Sequence, residues 1–195
     1  MQNTSDLPPA ELGASLIMVL MILIVVSLIG VGGAQIALMS ERGSRNDRDM
    51  QIALQSAEAG LLDAVDYLTA RRDDLFDGKN AVAFVAGCGS SGTSLGLCDD
   101  TLVGTLVGPK AAWLTVDFTD TSATASTIAY GTFTGKTFAS GGAGVRPALA
   151  PRYVIELVPD SSGNPSDVSY IYRVTAMGFG PRVDIQAVLQ MMYRP

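Results

Sequence analysis

The chain has 195 residues, of which 13 are Lys or Arg and 19 are Asp or Glu, and it contains two Cys and no His. This length suits one compact domain with an appendage, and a net charge of −6 without a basic cluster argues against a nucleic-acid partner. Because there is no His, Ser-His-Asp and Cys-His catalytic systems are excluded within this chain. The hydrophobic fraction of 48% is high for a soluble protein.

The hydrophobic excess lies near the amino terminus. No charged residue occurs from Leu12 to Ser40, and 16 of the 21 residues from Ala14 to Ala34 are hydrophobic. A helix of about 20 apolar residues crosses the hydrocarbon core of a bilayer. The sequence therefore predicts a transmembrane helix over residues 14–40, joined to a water-soluble domain.

Three kinds of segment share such an apolar run. A cleaved secretory signal peptide has a basic start and a shorter apolar core, whereas this chain starts with the acidic residues Asp6 and Glu11. A plain single-pass anchor fits the length. A prepilin-type signal, from which a peptidase removes a leader and leaves the apolar helix in place, also fits the polar segment 1–13 that ends in Gly13.

The helical pattern continues after the membrane segment. Residues 41–72 begin with a polar stretch and continue as an amphipathic helix, with Glu58, Asp63 and Asp66 on the predicted solvent side. The apolar positions recur at steps of three and four, and they are predicted to pack on the soluble domain: Leu54, Ala57, Leu61, Ala64, Val65 and Leu68.

Residues 73–195 form the predicted soluble domain, and their first part, residues 78–150, is rich in Gly, Ser and Thr. The alternation from Ala111 to Phe118 is typical of a strand. Cys88 and Cys98 enclose nine residues, and outside the cytosol such a pair favours a small disulfide-closed loop. Two thiols without a His are too few ligands for a zinc site. We therefore expect no metal and no cofactor.

The last 45 residues carry the clearest strand signals. Arg152–Val158, Val168–Ala176 and Val183–Met191 alternate apolar with polar residues, and the first two are separated by the turn composition of Asp160–Asp167. Three strands joined by short turns predict an antiparallel meander. Its apolar face needs a cover, and the amphipathic helix is the available partner. The predicted fold class is α+β, a long amino-terminal helix packed on an antiparallel sheet.

Two regions of the chain resemble a known family. Gly13 followed by Ala14-Ser15-Leu16-Ile17 and an unbroken apolar helix resembles a class III prepilin-type signal. The residues Glu41-Arg42, Arg48-Asp49 and Ala53–Ala59 resemble those of PilX-type minor pilins of type IV pili, as do Pro151–Glu156 and Tyr172–Ala176. The resemblance covers roughly residues 10–70 and 150–195, and it implies a pilin-like fold and no enzymatic activity.

The resemblance also implies a sequence of processing and assembly steps. The chain would enter the inner membrane with its folded domain in the periplasm, be cut between Gly13 and Ala14 by the prepilin peptidase, and be N-methylated on Ala14. Its amino-terminal helix would then pack against other minor pilins and the major pilin. The mature subunit would help to prime assembly and remain at or near the pilus tip, where a tip adhesin is a further partner.

One position departs from the pattern of major pilins, which carry Glu at the fifth mature residue. Here that residue is Met18. A buried carboxylate is tolerated when it pairs with the terminal amine of the next subunit and is costly when unpaired. A subunit without it cannot neutralise the amine of a subunit ahead of it, which suits a terminal position.

Two alternatives remain open. A K-type minor pseudopilin of type II secretion also lacks this Glu, although such subunits usually carry a large helical insertion and calcium ligands for which 195 residues leave little room. A single-pass membrane sensor or ligand-binding protein would keep its leader and act without pilins. The acidic residues of Asp160–Asp167 lack the spacing of a calcium loop, and a solvated turn is the expected structure.

Overall fold

A computed structural model of the protein describes residues 12–99, 110–142, 144–160 and 169–195. Its contacts divide the chain into two compact units, one up to Asn46 and the other from Asp47 to Pro195. Residues 1–11 of the predicted leader and the turn composition after Asp160 lie outside the described residues.

One long helix, α1, runs from Leu12 to Ala70 and so includes residues of both units. It contains no Pro, which would remove a backbone hydrogen bond in a helix interior. Its first part carries the apolar run and its last part the amphipathic pattern. The helix ends before a turn in which the Arg71 guanidinium donates hydrogen bonds to the Asp74 carboxylate.

In the second unit, the described residues form a five-stranded sheet. Three long antiparallel strands form its body, and they are β3 (Arg152–Pro159), β4 (Tyr170–Phe179) and β5 (Gln186–Tyr193). Two short strands flank β3, namely β1 (Leu97–Asp99), which is parallel to it, and β2 (Ile128–Ala129), which is antiparallel to it. The spatial order is β1-β3-β4-β5, with β2 paired to the start of β3.

The predicted α+β fold with an antiparallel meander is confirmed, and two details of it change. The sheet is mixed rather than purely antiparallel, because β1 lies parallel to β3 with Leu97 opposite Ile155. The predicted strand between Ala111 and Phe118 is wrong, because residues Ala112–Leu114 form a 3-10 turn. Trp113 donates its backbone N–H to the Glu156 carboxylate at 3.1 Å, so this segment binds a side chain of the sheet instead of joining the ladder.

One face of the sheet is covered by the carboxyl-terminal part of α1. The two backbones approach closely at Gly178, where a Cβ would lie 2.1 Å from the backbone nitrogen of Ala57 and 2.3 Å from the backbone oxygen of Ala53. Small residues let the two backbones meet, as in close helix packing elsewhere. Further along, large side chains of helix and sheet fill one core, which includes Leu68, Phe76, Tyr153, Ile155, Tyr172 and Val174.

The buried stripe of α1 differs from the predicted one. Ala57, Ala64 and Leu68 are buried, whereas Leu54, Leu61 and Val65 are half-buried at the margin of the contact. The buried face also includes Ala53, Ser56, Gly60, Asp63 and Tyr67. Asp63 was predicted to face solvent, and that prediction is wrong, because the carboxylate is fully buried among hydrogen-bond donors of the sheet domain. Glu58 and Asp66 are exposed.

The opposite face of the sheet is covered by irregular chain. Cys88, Cys98, Ala112 and Phe118 form a second core with Val154 of β3 and Phe179 of β4. The central strands are therefore buried on both sides, which explains why Val154, Ile155, Glu156 and Leu157 are all buried in succession.

We predict that Gly178→Ala destabilises the folded domain. The added Cβ meets backbone atoms of α1, which cannot move aside as a flexible side chain can. Helix and strand must separate, and the free energy of unfolding should fall by roughly 3 kcal/mol. Urea unfolding of the full chain in detergent, followed by fluorescence of Trp113, the single Trp, measures this change.

Gly43→Ala is the matched control. A Cβ at Gly43 meets nothing within 4 Å, and Ala is favoured over Gly in a helix by about 1 kcal/mol. This variant should unfold at the wild-type urea concentration or above it. A wild-type unfolding midpoint for Gly178→Ala would contradict the close approach of α1 to β4.

Candidate functional site

The first candidate surface is the apolar part of α1 in the amino-terminal unit. Seventeen large hydrophobic side chains between Leu16 and Met39 are each more than half exposed. Water-soluble proteins do not expose an apolar surface all around a helix. The helix is long and apolar enough to cross a membrane, and it fits the single-pass anchoring of a membrane protein.

The residues predicted to be processed lie at the start of this helix. Gly13 and Ala14 belong to α1, which begins at Leu12. Met18 is 67% exposed and adds to the apolar surface. The polar segment that follows is also helical, and in it Arg45 pairs with Glu41 at 2.6 Å.

The second candidate feature is a disulfide-closed loop in the folded unit. Cys88 and Cys98 are joined, with a Cα–Cα distance of 4.1 Å. Cys98 lies within β1 and is fully buried, whereas Cys88 precedes the loop and has a positive φ of 66°. Inside the loop, Gly96 donates its backbone N–H to the Gly89 oxygen at 2.9 Å. The disulfide therefore holds an irregular loop against β1, and β1 holds it against β3.

A buried ion pair fixes the layer over this same face. The Glu156 carboxylate is fully buried and accepts a hydrogen bond of 2.6 Å from the Arg173 guanidinium of β4. Its second oxygen accepts the backbone N–H of Trp113. Pairing and hydrogen bonding offset the cost of burying the charge. A Glu inside an apolar strand was the sequence signal for this contact, but its partners are 17 and 43 residues away.

The buried Asp63 of α1 holds another loop. Its carboxylate accepts hydrogen bonds from the backbone N–H of Gly131 at 2.9 Å, from the hydroxyl of Thr134, and from the phenol of Tyr153 at 3.3 Å. Burial, and next the nearby charge of Asp63, raise the pKa of Tyr153 well above its ordinary value. The phenol therefore stays protonated and remains a donor to Asp63.

The segment 130–136 lies along the helix as a result, and it is called the strap below. Phe133 stacks on Tyr67 with ring centroids 4.3 Å apart. Lys136 pairs with the exposed Asp66 one helical turn from Asp63. The strap thus covers part of α1 that the sheet does not reach.

Two acidic residues of the loops, Asp117 and Asp120, accept hydrogen bonds from residues of the same loop. Asp117 accepts hydrogen bonds from the backbone N–H and the hydroxyl of Thr119, at 2.8 and 2.7 Å, and Asp120 accepts the backbone N–H of Ser122 at 2.8 Å. These hydrogen bonds lower the pKa of both carboxyls. Among the described residues, no group of three or more His, Cys, Asp or Glu is placed to hold a metal ion.

Comparison with known proteins decides the family. Residues 13–62 match the family described as PilX N-terminal, and residues 86–195 match the family described as type IV pilus assembly protein PilX C-term. The chain belongs to the PilX family of type IV pilus assembly proteins. No curated protein and no solved structure matches it.

The two matches correspond to the two candidate features of this PilX-family chain. The first covers the apolar surface of α1 and the beginning of its packed face, and the second covers the disulfide-closed loop and the whole sheet. The family is a structural and assembly component of the pilus. The chain is therefore expected to act through its surfaces, as a part of an assembly with other pilus components.

We predict that Asp63→Asn releases the strap. An amide keeps the size of the side chain but replaces one acceptor oxygen by a donor, which leaves a buried donor of the strap or of Tyr153 without an acceptor. The free energy of unfolding should fall by roughly 1–3 kcal/mol. Urea unfolding measures it, and proteolysis should cut the strap faster than in the wild type.

Asp66→Asn is the control, because it changes an exposed carboxylate one turn away that pairs only at the surface with Lys136. Exposed ion pairs contribute at most about 1 kcal/mol. Equal effects of the two substitutions would contradict the role of the buried carboxylate.

We predict that the double substitution Cys88→Ser and Cys98→Ser lowers the free energy of unfolding by about 2–3 kcal/mol, because the unfolded chain regains the freedom of the open loop. Adding dithiothreitol to the wild type should produce the same loss, and it should not affect the double variant. Two free thiols in the purified wild type under non-reducing conditions would refute the disulfide.

Proposed function

We propose that this chain is a minor pilin that primes type IV pilus assembly and remains in a complex with other minor pilins at the pilus tip. The observation that carries the proposal is the combination of a PilX-family sequence with an apolar helical surface exposed over its whole circumference. Such a surface needs lipid before assembly and the helices of other subunits afterwards. The folded domain then stands outside the inner membrane.

Processing is part of the proposal. The prepilin peptidase cuts between Gly13 and Ala14, and Ala14 becomes the methylated amino terminus. Met18 then occupies the fifth mature position, where it carries no carboxylate to pair with the amine of a neighbouring subunit. An uncharged residue there avoids an unpaired buried charge and supports a terminal place in the filament. The partners are other minor pilins, the major pilin and, at the tip, an adhesin.

Two other functions make different predictions. A K-type minor pseudopilin would support type II secretion instead of pili. A membrane-anchored sensor would support neither and would keep Met1. In a strain that lacks the gene, we expect loss of surface pili and of twitching motility, restored by the wild-type chain, with secretion unchanged. Loss of secretion with normal pili would refute the proposal in favour of the pseudopilin.

We predict that the wild-type chain purified from cells has the mass of a polypeptide that begins at methylated Ala14. Gly13→Val should block cleavage between residues 13 and 14, because a branched side chain replaces the glycine at the cleavage site. Mass spectrometry of the intact protein measures both. Gly33→Ala is the control, since it changes a glycine of the apolar helix where a Cβ meets nothing within 4 Å. A wild-type chain that retains Met1 would refute processing.

A further inference from the structure

The outer edge of β5 is an open sheet edge. β5 ends the strand order β1-β3-β4-β5, and in the described part of the chain only β4 pairs with it. Sheet edges are usually protected by Lys, by Pro, by a bulge or by shortness. β5 is eight residues long, contains no charged residue and no Pro, and keeps an unbroken register with β4 from Gln186 to Tyr193. The backbone groups of β5 that point away from β4 are therefore free to pair with another strand.

Apolar side chains lie on both sides of this edge. On the helix side, α1 and β5 form a groove of about 370 Å³ that is lined by Glu58, Leu61, Leu62, Val65 and Met191. Leu62 is 65% exposed there. A strand paired to β5 would place alternate side chains in this groove.

On the other side of the sheet, Val188 and Met192 of β5 are exposed, at 39% and 55%. The loop layer that covers Val154 and Phe179 on this face leaves these two side chains open to solvent. The remaining side chains of an added strand would therefore meet Val188 and Met192. The edge thus favours a strand that carries apolar side chains toward each of the two faces.

The charges at the edge indicate what flanks that strand. Arg182 pairs with Asp184 before β5, and Arg194 pairs with Asp160 after it. Glu58 is the only charged residue that lines the groove, and it is exposed and has no ion-pair partner among the described residues. Glu58 directly follows Ala57 in α1. Ala57 contacts β4 at Gly178, and Gly178 pairs with Ala187 near the start of β5. A strand bound to β5 would therefore carry a basic residue just beyond the one of its two ends that lies next to the start of β5.

A second copy of the chain fits this edge poorly. The packed part of α1 passes Gly180 at Asp49, Gly178 at Ala57 and Ala176 at Gly60, so it runs antiparallel to β4 and parallel to β5. If the β5 strands of two copies paired antiparallel, the packed parts of their α1 helices would point in opposite directions. Both copies are anchored through the apolar residues that precede this part of α1, so the two anchors would then lie at opposite ends of the pair. The basic residue that directly follows β5, Arg194, already pairs with Asp160 of its own chain.

We propose that the β5 edge receives an extended strand of a different pilus subunit, which pairs with Gln186–Tyr193, places alternate apolar side chains in the groove between α1 and β5, and sets a basic residue against Glu58. This proposal rests on the proposed function, since it names the kind of contact through which the folded domain joins its assembly. The bound strand covers Leu62, Met191 and Met192 and removes an edge that is otherwise prone to pair non-specifically.

The test places a photo-crosslinking residue, p-benzoylphenylalanine, in the full-length chain in cells that lack the native gene. It replaces Met192 at the edge or Leu62 at the groove, and as a control it replaces Leu114, which is 54% exposed outside both. We expect crosslinks from Met192 and Leu62 to the same segment of one other pilus subunit, with a Lys or Arg flanking that segment. The Leu114 variant should not give this crosslink.

A charge at the edge provides the functional readout. Met192→Lys leaves the core untouched but introduces a charge that a paired strand would desolvate, so surface pili should decrease by about fivefold or more while the unfolding midpoint stays at the wild-type value. Leu114→Lys should leave the number of pili unchanged. Wild-type pili with Met192→Lys, the absence of crosslinks from both edge positions, or crosslinks to β5 of a second copy would each overturn this proposal.

These results separate the inference from the proposed function. If the wild-type chain does not restore pili, both the proposed function and this use of the edge are refuted. If the wild-type chain restores pili and the edge variants behave like the control, only the inference about β5 is refuted.

Discussion

The contact between α1 and β4 at Gly178 is the constraint on which the folded unit depends. Because no side chain separates the two backbones there, the helix lies close to the sheet along a row of small residues that includes Ala53, Ala57 and Gly60. This distance sets where the larger residues lie. Tyr67 and Leu68 reach the core, whereas Leu61 and Val65 stay at its margin and form the groove beside β5.

A disulfide and two buried carboxylates hold the irregular part of the domain. Where the structure describes it, the chain between the helix and β3 contains only short strands and turns, so few backbone ladders stabilise it. The Cys88–Cys98 disulfide and the Glu156 carboxylate attach it to one face of the sheet, and the Asp63 carboxylate attaches the strap to α1. The two carboxylates join segments that are distant in the chain, and each is costly to bury unless its partners are present.

The two units of the chain serve assembly in different ways. The apolar surface of α1 between Leu16 and Met39 is suited to lipid and to the helices of other subunits, and it discriminates little between them. The folded unit presents backbone groups and an apolar groove at β5, and in the proposed contact these favour a strand with apolar side chains and a flanking basic residue.

Much of the fold could be predicted from the sequence, since the apolar run up to Ser40 and the alternation in β3, β4 and β5 are local patterns whose period reports secondary structure directly. The same patterns failed at Ala111–Phe118 and at Asp63. The alternation from Ala111 to Phe118 did not produce a strand, and Asp63, a charged residue on the polar side of the helical pattern, is buried. What the sequence by itself determined was the membrane-compatible helix, the meander and the family. Only the tertiary structure decided the parallel pairing of β1, the partners of Asp63 and Glu156, and the open edge beside the groove. The physical reason is that these features depend on how closely helix, sheet and loops approach one another, and residues far apart in the chain set that distance together.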